Sequence, residues 1–232
     1  WRRQVGIFNL NSFWMKERKK LVMFDMDGVL FDTMPRHARA WNIAFSEVGH
    51  FQEESSYYLH AGRNGKGTVE AVLGPGADWE AIYRRKTEVF ASLPEGGLIP
   101  GTHKVAEIIH GYGIPALVVT GSGQAKSLER ISKEYGGLFR SEWMVTGKDV
   151  TKGKPDPEPY LLGLQKAGIS AKDAVVIENA PIGVQSGHAA GCLVVAVNTG
   201  PLPDSVLLDA GADYLFHNMD ELASRLPEIL SV

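Results

Sequence analysis

Residues 21–24 are apolar without interruption, and the run continues to Val29 with only Asp25, Asp27 and Gly28 breaking it. Strand length and unbroken apolarity predict a strand buried on both faces. Side chains alternate along a strand, so Asp25 and Asp27 share one side while Met26 faces away. A glycine at 28 then lets the chain turn. From Gly101 onward, apolar runs alternate with segments of helical period. Strands are predicted over 116–120, 143–146, 174–178, 193–198 and 214–217, and helices over 102–110, 124–135, 157–167, 182–190, 204–209 and 220–230. That alternation predicts an α/β fold, a doubly wound parallel sheet covered by helices on both faces.

Residues 34–99 break the rhythm. Ala38, Trp41, Phe45 and Val48 recur at helical spacing over 35–48, as do Ile82, Lys86, Val89 and Phe90 over 79–93. Between them the glycine-rich stretch 62–67 reads as a loop. A long crossover inside one domain is the plain alternative. An all-helical insertion of about 65 residues exceeds any ordinary connection, however, and predicts a separate cap over the strand ends. The expected division is 1–20 as an N-terminal extension, 21–33 with 100–232 as the α/β core, and 34–99 as an inserted helical cap.

Of 232 residues, 44% are hydrophobic and 22% charged, which suits one α/β domain with a small insertion. A net charge of −3 supplies no broad basic field, which argues against nucleic acid or an anionic membrane as partner. No apolar stretch reaches membrane-spanning length. Residues 1–20 lack the apolar segment and small-residue cleavage site of a secretory signal. Met15, followed by charged residues and then the first strand, reads as a natural start, with 1–14 as an extension. A cytoplasmic protein is the expectation. The single cysteine, Cys192, excludes an intrachain disulfide and any multi-cysteine metal site, and its apolar neighbours mark it as buried rather than nucleophilic.

Chemistry-bearing residues recur at the predicted strand ends, where open α/β sheets bind ligands. Asp25 and Asp27 can hold a divalent cation or divide nucleophile and proton-transfer roles. Thr120, Gly121 and Ser122 can present hydroxyl and backbone N–H groups to a phosphate, although Ser122 suits a helix N-cap equally well. Lys154 precedes a proline-stiffened helix start and can offset charge on a transferring phosphoryl group, although most lysines are simply solvated. Glu178 and Asn179 can offer oxygen to Mg²⁺, with helix capping by Asn179 as the alternative.

Together and in this order, the fragments 25–33, 153–160 and 176–183 resemble the haloacid dehalogenase-like phosphatase superfamily. The similarity is to its helical-cap branch, close to the β-phosphoglucomutases and related phosphatases, and runs from about Leu21 to Leu230. The resemblance implies Asp25 as a nucleophile that forms an aspartyl-phosphate, and Asp27 as the acid and then the base. It implies Mg²⁺ held by the Asp25 carboxylate, the Asp27 carbonyl and Asn179, with Glu178 compensating directly or through a water for the uncharged amide. Thr120 and the Gly121 N–H would grip the phosphoryl oxygens beside Ser122, with Lys154 bridging Asp25 and phosphate. An acid at position 27 argues against halide displacement, which needs no proton donor there.

Thr33, His37, Trp41 and Lys86 fall where β-phosphoglucomutases carry matching residues. The spacing around Arg63 and Lys66, and the pair Gly123 and Gln124, depart from the mutases, so Arg63 or Lys66 would have to replace a missing cap cation. The implied activity is Mg²⁺-dependent hydrolysis of a small phosphorylated metabolite such as a sugar phosphate. A β-phosphoglucomutase is the nearest alternative, with inorganic pyrophosphatase and a non-catalytic phosphometabolite-binding protein behind it. A monomer or weak dimer is expected.

Overall fold

The computed structural model describes residues 18–123 and 125–231. The start proposed at Met15 and the helix residue Gln124 lie outside them. Five strands, β1 (Leu21–Phe24), β2 (Ala116–Val118), β3 (Ala174–Glu178), β4 (Leu193–Val197) and β5 (Tyr214–Phe216), form one sheet in the order β2-β1-β3-β4-β5. Every neighbouring pair is parallel. The period-two alternation of β1 divides the core: Val22 and Phe24 enter one cluster, Leu21 and Met23 the other. Helices α4 (Thr102–Gly111), α5 (Ala125–Tyr135) and α9 (Met219–Ile229) cover the first face; α6 (Glu158–Ala167), α7 (Pro181–Ala189) and α8 (Asp204–Asp209) cover the second. The expected doubly wound sheet is therefore present.

Register places the site. Phe24 is paired with Ile177, so the residues that follow, Asp25 and Glu178, emerge side by side at the carboxyl ends of the two central strands. The chain then turns back on itself. Gly28 has φ +85°, and a β-carbon there would lie 1.9 Å from the Asn179 amide nitrogen, so both backbone and neighbour demand glycine.

Residues 34–99 form α1 (Met34–Ser46), a 3-10 turn (Glu54–His60), α2 (Gly65–Leu73) and α3 (Trp79–Ser92). Trp41, Phe45, Tyr57, Val69 and Ile82 build a core of their own, with the Trp41 and Phe45 rings stacked at 5.2 Å. Antiparallel chain crossings join this segment to the sheet: Asp32 N–H donates to Gly97 and Ile99 N–H to Leu30, each at 3.0 Å.

Two expectations need correction. The stretch 62–67 is not all loop: Gly65 to Gly67 form the first turn of α2, because the Asn64 side chain accepts the Gly67 N–H at 2.7 Å and caps the helix. The strand predicted over 143–146 shrinks to a single parallel bridge between Val119 and Val145. Ser141–Trp143 is a 3-10 turn, and beyond the bridge the chain leaves the sheet edge to carry Lys154 inward. Among the described residues no helix is long and apolar enough to cross a membrane.

Candidate active site

The buried lysine is the centre of the arrangement. Lys154 is 2% exposed and its ammonium donates to Asp25 Oδ1 at 2.6 Å, Glu178 Oε1 at 2.7 Å and the Val119 carbonyl at 3.0 Å. Three donors meet three acceptors, so the charge is fully satisfied away from water. Burial works against that charge, but Asp25 and Glu178 outweigh it and raise the Lys154 pKa. Burial pushes the Asp25 carboxyl up to about 7, opposed by Lys154 and reinforced by Glu178 and Asp27. Asp25 is thus a carboxylate whose ionised form is held at a cost.

Glu178 is committed to further partners. Its Oε1 also accepts the Tyr160 hydroxyl at 2.7 Å, and its Oε2 accepts the Asn179 backbone N–H at 3.1 Å. Both oxygens face protein donors, and Glu178 anchors Lys154. Asn179, in contrast, does not cap α7: the N-cap residue is Ala180 and no side chain caps it. Asn179 Oδ1 is buried with no hydrogen-bond partner. An acceptor left unsatisfied in the interior costs about 1–3 kcal/mol, and a hard cation is the partner that oxygen suits.

Asp27 has a different environment. Its Oδ1 accepts the Thr33 hydroxyl at 2.6 Å and lies 3.2 Å from His37 Nε2. The other ring nitrogen, Nδ1, lies 2.9 Å from the Lys86 ammonium. An ammonium can only donate and a carboxylate can only accept, which assigns the tautomer: Nε2 carries the proton and Nδ1 accepts. Burial, then Lys86, lower the His37 pKa, keeping the ring neutral. Burial would raise Asp27, but His37, Thr33 and Lys86 together hold it down at about 2. Lys86 sits over the Phe90 ring at 4.6 Å and the Trp41 ring at 5.4 Å, and burial lowers its pKa to about 8.

Thr120 is buried, and its hydroxyl oxygen accepts the Ser122 N–H at 3.0 Å, which leaves the hydroxyl proton able to donate to a ligand. Gly121 and Ser122 line a recess together with Asp27, His37, Arg63 and Lys86. A β-carbon on Gly121 would lie 2.4 Å from the Gly62 carbonyl oxygen, so the helical segment is seated directly on the strand-end loop. Arg63 has a buried Nε without a partner beside the recess. Lys66 is not there: it is exposed and its ammonium lies 3.8 Å from Glu70, one helical turn along α2. The helix start at Gly65 turns that side chain outward, which a loop reading could not foresee. Sequence reasoning missed His60, whose buried Nδ1 lacks a partner in the same wall, and Tyr160. Tyr160 lies in the fragment 153–160, its only signal.

The sequence matches the haloacid dehalogenase-like hydrolase family over residues 19–191. The chain belongs to that family. Hexitol phosphatase A of Escherichia coli is 33% identical over 207 residues, covering 88% of this chain and 94% of the relative. A phosphorylated carbohydrates phosphatase of Thermotoga maritima is 30% identical over 222 residues, covering 90% and 99%. Among solved structures, a Bacteroides vulgatus protein provisionally assigned as a β-phosphoglucomutase superposes with TM-score 0.86 at 43% identity, covering 92% of this chain and 90% of that one. The haloacid dehalogenase-like chain is an enzyme, with phosphatases and phosphoglucomutase-like proteins as its relatives.

Proposed function

We propose that the protein transfers a phosphoryl group from a small phosphorylated carbohydrate through an aspartyl-phosphate on Asp25, and that water is the usual acceptor. The observation that carries this reading is Lys154, which holds the Asp25 carboxylate at the end of β1, while Asn179, just past the end of the neighbouring β3, keeps a buried oxygen without a partner. Phosphoryl transfer demands in-line positioning and charge neutralisation more than covalent machinery. The Asp25 carboxylate, the Asp27 carbonyl and Asn179 Oδ1 would hold Mg²⁺, which supplies neutralisation of phosphoryl charge. No group of three or more His, Cys, Asp or Glu side chains suited to a metal occurs among the described residues, in keeping with a donor set of one carboxylate, one amide and one backbone oxygen.

In the first step an Asp25 oxygen forms a bond to phosphorus, the ester P–O bond breaks, and the leaving oxygen takes a proton from Asp27. In the second, water attacks the same phosphorus, its proton passes to Asp27, and the Asp25–phosphorus bond breaks to release phosphate. Asp27 near a pKa of 2 is poised as the base. An approaching phosphoryl dianion raises it toward the acid's role, and the Lys86–His37 chain is positioned to relay the proton.

The helical segment 34–99 acts as a cap in this reading. The recess beneath it is lined by Asp27, His37, Arg63 and Lys86 together with Gly121 and Ser122. Substrate would enter with the cap swung away, and closure would exclude bulk solvent.

A second reading, β-phosphoglucomutase, draws on the Lys86–His37–Asp27 chain, which would suit activation of a sugar hydroxyl, and on the Bacteroides relative. A substrate panel separates the two. With Mg²⁺, hexitol phosphates and hexose phosphates should release inorganic phosphate. Conversion of β-glucose 1-phosphate to glucose 6-phosphate, primed by the bisphosphate and without phosphate release, would overturn the hydrolytic reading.

Lys86 also sets an expected pH profile. Its ammonium is intact below about 8, so kcat/KM should fall as pH rises through that value. Lys86→Met should lower activity and flatten the alkaline limb. The sign for stability is opposite: the folded pKa lies below the ordinary 10.5, so burying the charge costs stability below 8 and that cost fades between 8 and 10.5. An unchanged alkaline limb in the variant would remove Lys86 from the reaction.

A further inference from the structure

A second cavity, of about 150 Å³, shares Asp27 with the catalytic recess but is otherwise walled by different residues. It lies where the helical segment meets the sheet domain: Arg36 and Phe90 come from α1 and α3, Lys126 and Arg130 from α5, and Phe31 from the connecting turn. Its charged groups are Arg36, Lys126 and Arg130 against Glu95, with Asp27 at the inner end already engaged by Thr33 and His37.

Both guanidinium groups lie over aromatic rings. Arg130 lies 4.3 Å over Phe31, and Arg36 lies 4.0 Å over Phe90 while its Nε donates to the Phe90 carbonyl at 2.8 Å. A guanidinium beside a ring keeps N–H donors able to grip phosphate or carboxylate, in a bidentate manner where two are in reach. Among the described residues neither arginine nor Lys126 has a carboxylate at ion-pair distance. Burial lowers the Arg36 pKa, with Glu95 acting to raise it and Arg130, the weaker of the two neighbours, to lower it. Surface cations are ordinarily solvated singly. Here two arginines from two different parts of the fold line one cavity, with a lysine beside them.

We propose that this cavity binds a tetrahedral dianion, inorganic phosphate or the phosphate of a small monoester, and that the bound anion staples the helical segment to the sheet domain. At about 30 Å³ per water, the volume holds such an anion with some of its hydration. The anion would bridge Arg36 on one side and Arg130 on the other. Opening of the segment would pull these donors apart and release it. The site would therefore couple anion concentration to the closed arrangement, independently of what the catalytic recess turns over.

The full chain titrated with sulfate, inorganic phosphate and glycerol phosphate, followed by backbone NMR, tests the proposal. Saturable shifts are expected at 90–95 and 126–130, separate from those at Gly121 and Ser122. Hydrogen exchange of the Asp32 and Ile99 amides should slow as the anion binds. Arg130→Gln should weaken the junction site at least about tenfold, the loss of one charge-assisted hydrogen bond, and Glu95→Gln should tighten it. Arg63→Gln should leave it unchanged. Tighter binding of phosphate than of glycerol phosphate identifies the free ion as the ligand, and the reverse identifies the ester. No shifts at 90–95 and 126–130 with any of the three anions, or equal affinity in Arg130→Gln and the unaltered protein, overturns the proposal.

Discussion

Asp25→Asn should abolish turnover, by about 10⁴-fold or more as for the loss of other catalytic nucleophiles, while the protein stays folded. The amide has nearly the same shape, and Lys154 keeps Glu178 and the Val119 carbonyl as acceptors. Stability gives a second readout with a definite sign. The folded pKa of Asp25 is raised from 3.8 to about 7. The stability this group contributes is complete below about 3.8 and is lost as pH rises through 7, because the native state then holds an ionised, desolvated carboxylate. In metal-free buffer at pH 8, Asp25→Asn should therefore unfold at a higher denaturant concentration than the unaltered protein. Added Mg²⁺ should stabilise the unaltered protein by mass action and the variant much less. Full activity in the variant would eliminate the aspartyl-phosphate. Equal Mg²⁺ stabilisation of both proteins would instead remove Asp25 from the metal's ligands.

Lys154→Met should produce the largest loss of stability. It leaves Asp25 and Glu178 buried at 3% and 1% exposure with their shared cation gone. Removing one member of a buried ion pair costs about 3–5 kcal/mol, chiefly because the remaining charge is stranded. Denaturant unfolding of the variant at pH 7 measures this. The doubly substituted Lys154→Met, Glu178→Gln protein should recover a good part of it, since the amide removes one stranded charge and still accepts the Tyr160 hydroxyl. Activity should not return with stability, because the cation that faces the phosphoryl group is still missing. Recovery of turnover in the double variant would place Lys154 among purely structural residues.

Much of this was legible in the chain. The uninterrupted apolar run before Asp25, and its repetition at Val118 and Ile177, is a local property of strands buried on both faces. The parallel sheet and the family follow from those runs and the order of the fragments after them. Helical spacing likewise marked Ile82, Lys86, Val89 and Phe90, all buried on α3. Where local signals misled, geometry had competing solutions. Glycines at 65 and 67 favour a loop by composition, but an asparagine cap makes them a helix start. A short apolar run at 143–146 fits a strand, but at the sheet edge only Val145 makes the pairing.

The amino-acid sequence by itself determined the α/β class, the cap-like insertion's helical texture and which residue types arrive at the strand ends, because period and order are properties of neighbouring positions. Tertiary structure alone decided which partners those side chains take. Lys154 reaches Asp25 across 129 residues of chain, Glu178 meets that same lysine, and Lys66 turns to solvent while Arg63 turns inward. The placement of Arg36 and Arg130 around one cavity was invisible for the same reason. Side-chain direction at long range is set by how helices and strands pack, and packing is a property of the whole chain.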